Sequence, residues 1–401
     1  MAVDLVVRDV IELQALGRDE AKTLLQKSLI DPDMVGNKEP AVAELLDELA
    51  DLPLAIVQAA AYLNTNTTTM PRYLRLLRNT EQDMVSLMSA EFRDSARYEG
   101  ATNAVASTWL VSFEQIRKYD EIAAGLLAYV SCIEPKAIPR SILPTVQPEA
   151  RMETAIGTLC GYAFLTRRAE DETFDVHRLV HLGMRIWGRH HGDASTETRK
   201  AMQHLAGIFP SDHFEKRKLW REYLPHAVRL LQEQEEEEEE EPKKYELCIS
   251  VGRCLQADGR VREAVDFLEQ AWRWRCSNMD EKHSDRLLSQ YTLAIAYQAD
   301  GQVGMAVELL EHVVAVEAKV LAEDHPSRLA SQHELAITYQ ADGQVSKAVE
   351  LLEHVVTIEA KVLTEDHPDR LASQHELAIA YKADGQVNKT TDGLSRDGGV
   401  A

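Results

Sequence analysis

Residues 293 to 334 read LAIAYQADGQVGMAVELLEHVVAVEAKVLAEDHPSRLASQHE, and residues 335 to 376 read LAITYQADGQVSKAVELLEHVVTIEAKVLTEDHPDRLASQHE. The two stretches are nearly one sentence written twice, and the tripeptide Ala-Asp-Gly extends the register: it stands at Ala257 to Gly259, Ala299 to Gly301, Ala341 to Gly343 and Ala383 to Gly385, always 42 residues apart. A period of that length predicts an array of helical hairpins, an α-solenoid. Within one unit, Leu335, Ala336 and Tyr339 share a face of a first helix, and Asp342-Gly343 supplies the left-handed residue that ends it. Val345, Ala348, Leu352 and Val355 form the inner face of a second helix, and the small Ala336 and Ala348 let the two axes approach. His367-Pro368 is expected to stop that second helix, because a residue before proline is pushed out of the α region.

The array follows a different kind of sequence. The chain has 401 residues, enough for two or three domains, and 45% hydrophobic content typical of globular protein. Its formal net charge is -22, of which the run Glu235 to Glu241 supplies only part, which argues against a general affinity for nucleic acid or anionic lipid. Five cysteines (Cys132, Cys160, Cys248, Cys254, Cys276) with no C-x-x-C fit reduced thiols and no structural disulfide. Met1 to Val10 carries Asp4, Arg8 and Asp9 where a secretory signal needs an apolar run, and no segment approaches the length of an apolar membrane span. The expected location is cytoplasmic.

Residues 41 to 63, AVAELLDELADLPLAIVQAAAYL, carry apolar positions at helical spacing on both sides of Pro53, so one helix ends near Ala50 and another begins at the proline. Leu13 to Ala21 begins a further helix, Thr108 to Ile116 leads into an apolar helix at Ala123 to Val130, and Glu153 to Cys160 forms another. Ala163 to Arg168 and Phe174 to His177 read as a two-strand hairpin, and helices followed by a hairpin describe a winged-helix domain.

Two resemblances follow from these residues. E-D-H-P-x-x-L and L-A-x-x-Y-x-x-x-G, recurring in register over about residues 246 to 389, resemble tetratricopeptide repeats of the kinesin light chain kind. That resemblance implies a superhelical groove, lined by first helices, that holds a protein or peptide. Its positions are Arg253 and Gln256, then Tyr291, Ile295 and Gln298, then His333, Ile337 and Gln340, then His375, Ile379 and Lys382. Where kinesin light chains carry paired asparagines this chain has His333-Glu334 and His375-Glu376, so their cargo preference does not transfer; the histidines are either groove contacts or solvated positions. Secondly, Asp51-Leu52-Pro53-Leu54-Ala55 resembles the G-L-P-L-A of NB-ARC modules in NLR-like STAND proteins, with aspartate for the first glycine, and Val176 to His181 resembles their M-H-D or H-x-L-V segment. The family places the proline on adenine and the histidine on a phosphate of ADP, which makes Pro53 and His177 candidate nucleotide contacts; the other reading is a helix starter and a strand-end residue in solvent.

The resulting expectation is a mainly α chain: a helical plus winged-helix region followed by the solenoid. Its parts are a helical subdomain at 1–80 resembling the first ARC region, a helical connector at 81–120, a winged-helix-like domain at 121–195, and a helical linker with the acidic run at 196–245. The tetratricopeptide repeats occupy 246–389, and a disordered tail 390–401. No G-x-x-x-x-G-K-[ST] occurs in the sequence, so phosphates lack a cradle and no ATPase activity is expected; ADP or ATP enters only if a nucleotide-binding domain lies upstream. His177 and His181, four apart, lack a third metal ligand, so no metal is expected. Lys216 to Lys218 with Arg221 read as a helix face paired with acids, although a winged helix leaves DNA binding as a minor reading. The main function expected is non-enzymatic protein binding, with self-association through the open last repeat. The alternative is a fragment of an ATP/ADP-switched STAND receptor in innate-immunity-like or heterokaryon-incompatibility-like signalling.

Overall fold

A computed structural model describes residues 16–31, 39–78, 99–168, 172–190, 194–232 and 242–385. The expectations for Met1 to Val10, for the Glu235 to Glu241 run and for a tail at 390–401 lie outside them, as do residues 81–98 of the 81–120 connector. The chain divides into two compact units, Met1–Ile208 with Pro225–Glu240, and Phe209–Leu224 with Glu241–Ala401.

The first unit holds α1 (Arg18–Ser28), α2 (Glu39–Glu48), α3 (Pro53–Thr65), α4 (Met70–Arg78), α5 (Glu99–Tyr119), α6 (Glu121–Ser131), α7 (Glu149–Gly161), α8 (Arg178–His190) and α9 (Ala194–Ile208). The break before Pro53 has a local cause. Ala50 and Asp51 both take left-handed backbone, with φ 49° and 51°, and Pro53 then opens α3 as its first residue, where no N–H is needed. Asp51 therefore occupies a conformation that glycine adopts without strain. Aspartate tolerates it better than most residues, and Arg18 lies 3.3 Å from its carboxylate. Leu45, Leu46 and Leu49 before the break and Ile56 after it are all fully buried, so the turn folds two apolar faces into one core. Gln58, also buried, donates to the Ala163 carbonyl at 3.0 Å, and Asn66 accepts from Gln115 and Tyr162, tying the end of α3 to α5 and α7.

The expected hairpin gains a third strand. β1 (Ile138–Pro139), β2 (Thr166–Arg168) and β3 (Thr173–Asp175) form an antiparallel sheet in the order β1-β3-β2, with Ile138 opposite Phe174. Pro139 is placed on an edge strand, where its missing donor breaks no ladder. Helix α6 packs against α5, α7, α8 and α9 and so forms the centre of this half.

The second unit contains α11 (Pro242–Ala257), α12 (Val261–Asn278), α13 (Ser284–Ala299), α14 (Val303–Val320), α15 (Pro326–Ala341), α16 (Val345–Val362) and α17 (Pro368–Ala383); α10 (Arg217–Gln232) crosses the division between the units. Each first helix ends in the same way. Gly343 has φ +79°, its N–H bonds the Gln340 carbonyl at 3.1 Å, and the Gln344 N–H bonds Tyr339 at 2.8 Å, which together satisfy the last carbonyls of α15. Ala336, Ala348, Leu352 and Val355 are fully buried between the hairpin's helices. One expectation is corrected: His367-Pro368 does not stop the second helix. Helix α16 ends at Val362, Leu363 turns extended, and His367 instead caps α17, its Nδ1 accepting the Asp369 N–H at 3.2 Å, with Pro368 in the first turn. His283 and His325 cap α13 and α15 identically, and Arg328 and Arg370 donate to the Leu321 and Leu363 carbonyls at the ends of α14 and α16.

In the first unit, His181 and His226 are nearly sealed from solvent and hold the segment after α6 by its carbonyls. His181 Nε2 lies 2.9 Å from the Ile133 oxygen, and His226 lies between the Glu134 and Ala137 oxygens at 3.1 and 3.4 Å. Burial pushes both pKa values down from 6.5 to about 4, outweighing the carbonyl contacts that favour protonation, and Arg229 adds to the effect on His181. The unfolded chain takes up these protons first, so stability is lost as pH falls from 6.5 towards 4. We expect up to about 2 to 3 kcal/mol for each histidine. His181→Gln and His226→Gln keep a donor but do not titrate. Urea midpoints measured from pH 7 to 4.5 should fall less steeply in each variant than in the parent, and equal slopes would contradict the assignment.

Candidate protein-binding groove

Helices α11, α13, α15 and α17 touch one another as well as their own second helices, so the first helices form one continuous layer of the second unit. All eleven groove positions fall on it. Gln256, Tyr291, Ile295, Gln298, His333, Ile337 and Gln340 are half-buried, whereas Arg253, His375, Ile379 and Lys382 are exposed. Arg253 is engaged: its Nε donates to Asp212 at 3.1 Å. His333 is more than a solvated position, since its Nδ1 lies 3.0 Å from the Ser373 hydroxyl on the next first helix, and burial lowers its pKa despite the acids Glu376 and Asp369 nearby.

Beneath this row lies a set of charges that the hydrophobic period does not reveal. One residue near the end of each second helix is buried and ionisable: Arg275, Glu317 and Glu359, 42 apart. Arg275 donates to the Asp285 carbonyl, whereas Glu317 and Glu359 are each held by a serine of the following first helix, Ser331 and Ser373. Burial raises both carboxyl pKa values. Glu317 and Glu359 each leave one buried oxygen without a hydrogen-bond partner. Glu334 joins them from the groove side: it is half-buried, and burial followed by repulsion from Glu376 holds its pKa up. Tyr291 registers both acids, its pKa pushed up to about 12 by burial, then Glu334, then Glu317. The signal was present in the sequence as the substitution Arg275, Glu317, Glu359 in register, but a period count alone does not say that those positions are buried.

The candidate nucleotide contacts sit on separate elements. Pro53 opens α3 and is exposed; His177 lies between β3 and α8 and is also exposed, its pKa lowered by burial of part of the ring and by Lys136. A neutral imidazole offers one N–H, which limits what His177 can give a phosphate. His181, four residues on, faces the core, so the pair does not form a metal site, and no group of three or more potential metal ligands occurs among the described residues. Arg217 and Arg221 meet Asp258 at 4.0 and 2.5 Å, and Trp220 is buried, which accounts for the basic stretch by pairing with an acid. Cys248 and Cys254 are buried free thiols with pKa values pushed up to about 12, and no disulfide forms among the five cysteines. No helix among the described residues is long and apolar enough to cross a membrane.

Residues 285–359 match the tetratricopeptide repeat family. A nucleotide-binding leucine-rich repeat (NLR)-like protein of Hyaloscypha variabilis is 33% identical over 282 residues, which is 70% of this chain and 28% of that protein. The chain thus spans just over a quarter of that relative. A kinesin light chain protein with nearly identical tetratricopeptide-like repeats from Podospora anserina overlays with a TM-score of 0.42 at 45% identity, covering 49% of this chain and 92% of that one. A STAND protein with a tetratricopeptide repeat sensor from Pyrococcus horikoshii overlays at 0.21 with 13% identity, over 78% and 57% of the two chains.

Proposed function

We propose, from the premise that residues 285–359 belong to the tetratricopeptide repeat family, that this chain is a non-enzymatic interaction protein whose first-helix layer binds a protein or peptide partner. The observation that carries the reading is the row of half-buried side chains on α13 and α15, Tyr291, Ile295, His333 and Ile337, which the core does not use. The helical and three-stranded part before it is read as the ARC and winged-helix remnant of an NLR-like STAND module. In it Pro53 and His177 are vestigial ADP contacts, no cofactor is retained, and the setting is cytoplasmic. A photo-crosslinking amino acid placed at Gln298 or Ile337 should form discrete adducts with a partner in cell extract, whereas one at Glu308 or Glu350 on the second helices should not. Equal yields from both sets would overturn the groove.

The last repeat supports self-association. Leu287 and Leu329 are 6% and 5% exposed because Val313 and Val316, or Val355 and Ile358, cover them, but Leu371 on α17 is 50% exposed and Ile379 42%. Light scattering should show a concentration-dependent mass that Leu371→Glu reduces; a strictly monomeric parent at high concentration would end the idea.

A second reading is favoured by the relative from Hyaloscypha variabilis, of which this chain spans 28%: the sequence is part of a nucleotide-switched receptor. Mapping the 5′ end of the transcript separates the two. A phosphate-binding loop in frame upstream selects the receptor, and a start at Met1 selects the adaptor.

A further inference from the structure

The charges beneath the groove are uneven along its length. At the junction of α12 and α13 the ionisable groups held wholly or partly out of water are the buried Arg275 and the half-buried Arg286, both donating to backbone carbonyls. At the next junction they are Glu317, Arg328 and Glu334, and at the one after that Glu359, Arg370 and Glu376. The register therefore passes from two cations to two carboxylates against a single arginine, twice over. Arg328 and Arg370 are already committed to the Leu321 and Leu363 carbonyls.

Glu334 is where this imbalance meets the groove. It is half-buried on α15, between His333 and Ile337 in sequence, and no basic side chain among the described residues lies within ion-pair distance of it. Its nearest charged influence is Glu376, one repeat further on, whose own contact is the imidazole of His375 at 3.6 Å. Glu317, on α14, is 5% exposed and keeps one oxygen without a hydrogen-bond partner, and its charge reaches the same Tyr291 hydroxyl as that of Glu334. A carboxylate held partly out of water beside other carboxylates raises the energy of the empty groove, and a cation seated there lowers it. The other charges of the groove do not supply that cation: Arg253 is paired with Asp212, and Lys382 is exposed near the end of α17.

We infer that the groove between α15 and α17 receives a lysine or arginine side chain of its partner, held between Glu334 and Glu376, with Tyr291 and His333 flanking it. The inference rests on the groove being a protein-binding site, and it selects a basic partner segment over an acidic one. Arginine suits the place better than lysine, since its planar fork can span two carboxylates and stack on Tyr291.

The test uses the full chain on an array of random decapeptides, followed by the strongest binders as fluorescein-labelled peptides in solution. Bound peptides should be enriched in Arg and Lys. A Glu334→Gln, Glu376→Gln double variant should bind the basic peptides about five- to tenfold more weakly. A Glu308→Gln, Glu350→Gln variant, which removes two exposed acids from the second helices, should bind them as the parent does, which separates a seated cation from general attraction to an acidic chain. Folding of the groove variant is checked by its melting temperature, expected to equal or exceed that of the parent because a strained carboxylate has been removed. Bound peptides rich in Asp and Glu, or without charge preference, would overturn the inference while leaving the groove intact, as would basic peptides indifferent to the groove variant. An array with no binding above background would remove the groove reading itself.

Discussion

A single 42-residue hairpin of this sequence cannot bury its own apolar surface. Ala336 and Ala348, and Leu329 with Val355 and Ile358, are buried inside one hairpin, but each second helix also packs on the next first helix: α14 on α15 and α16 on α17, with the Tyr339 hydroxyl of α15 donating to Glu311 of α14 at 2.6 Å. Everything else in the second unit follows from that dependence on a neighbour. The left-handed glycine must recur at Gly259, Gly301, Gly343 and Gly385 so that each second helix returns along the first. The histidine cap and the arginine that reaches back to the preceding carbonyls must also recur, so that each unit starts where the last one ends. On α17, Leu371, the counterpart of the covered Leu329, is exposed.

The same repetition that fixes the stack frees one layer for recognition. Side chains on the inner row of the first helices are not needed to pack the hairpin, so Tyr291, His333 and His375 can differ at equivalent positions without disturbing Ala294 or Ala336. Substitution beneath the row has a different consequence. Exchanging Arg275 for Glu317 and Glu359 changes the sign of buried charge while preserving the backbone, so electrostatic character varies along an otherwise uniform groove.

Much of the second unit was legible in advance because a period repeated four times averages away local ambiguity. The glycine turns and the burial of Ala336 and Ala348 were readable from spacing alone. His367-Pro368 was misread because the rule applied to it was local: a residue before proline does leave the helix, but here it does so as the cap of the next one. In the first unit the break at Ala50 and Asp51 was visible, yet the third strand was not, because two residues, Ile138 and Pro139, carry no alternation to read. The spacing of His181 from His177 was visible, but its place in the core beside the Ile133 carbonyl was not, because that is a long-range contact that sequence proximity does not encode. The carboxylates behind the groove escaped notice for the same reason, since exposure is decided by the neighbouring helix.

The most direct test of the groove as a binding surface is methyl-resolved NMR of the isoleucine-labelled chain during titration with a partner peptide. The account predicts that the methyls of Ile295, Ile337 and Ile379, one from each of three successive first helices, shift together and saturate at one concentration, while the fully buried Ile133 and Ile156 of the first unit stay in place. Shifts confined to the first unit, or to residues of the second helices, would contradict it.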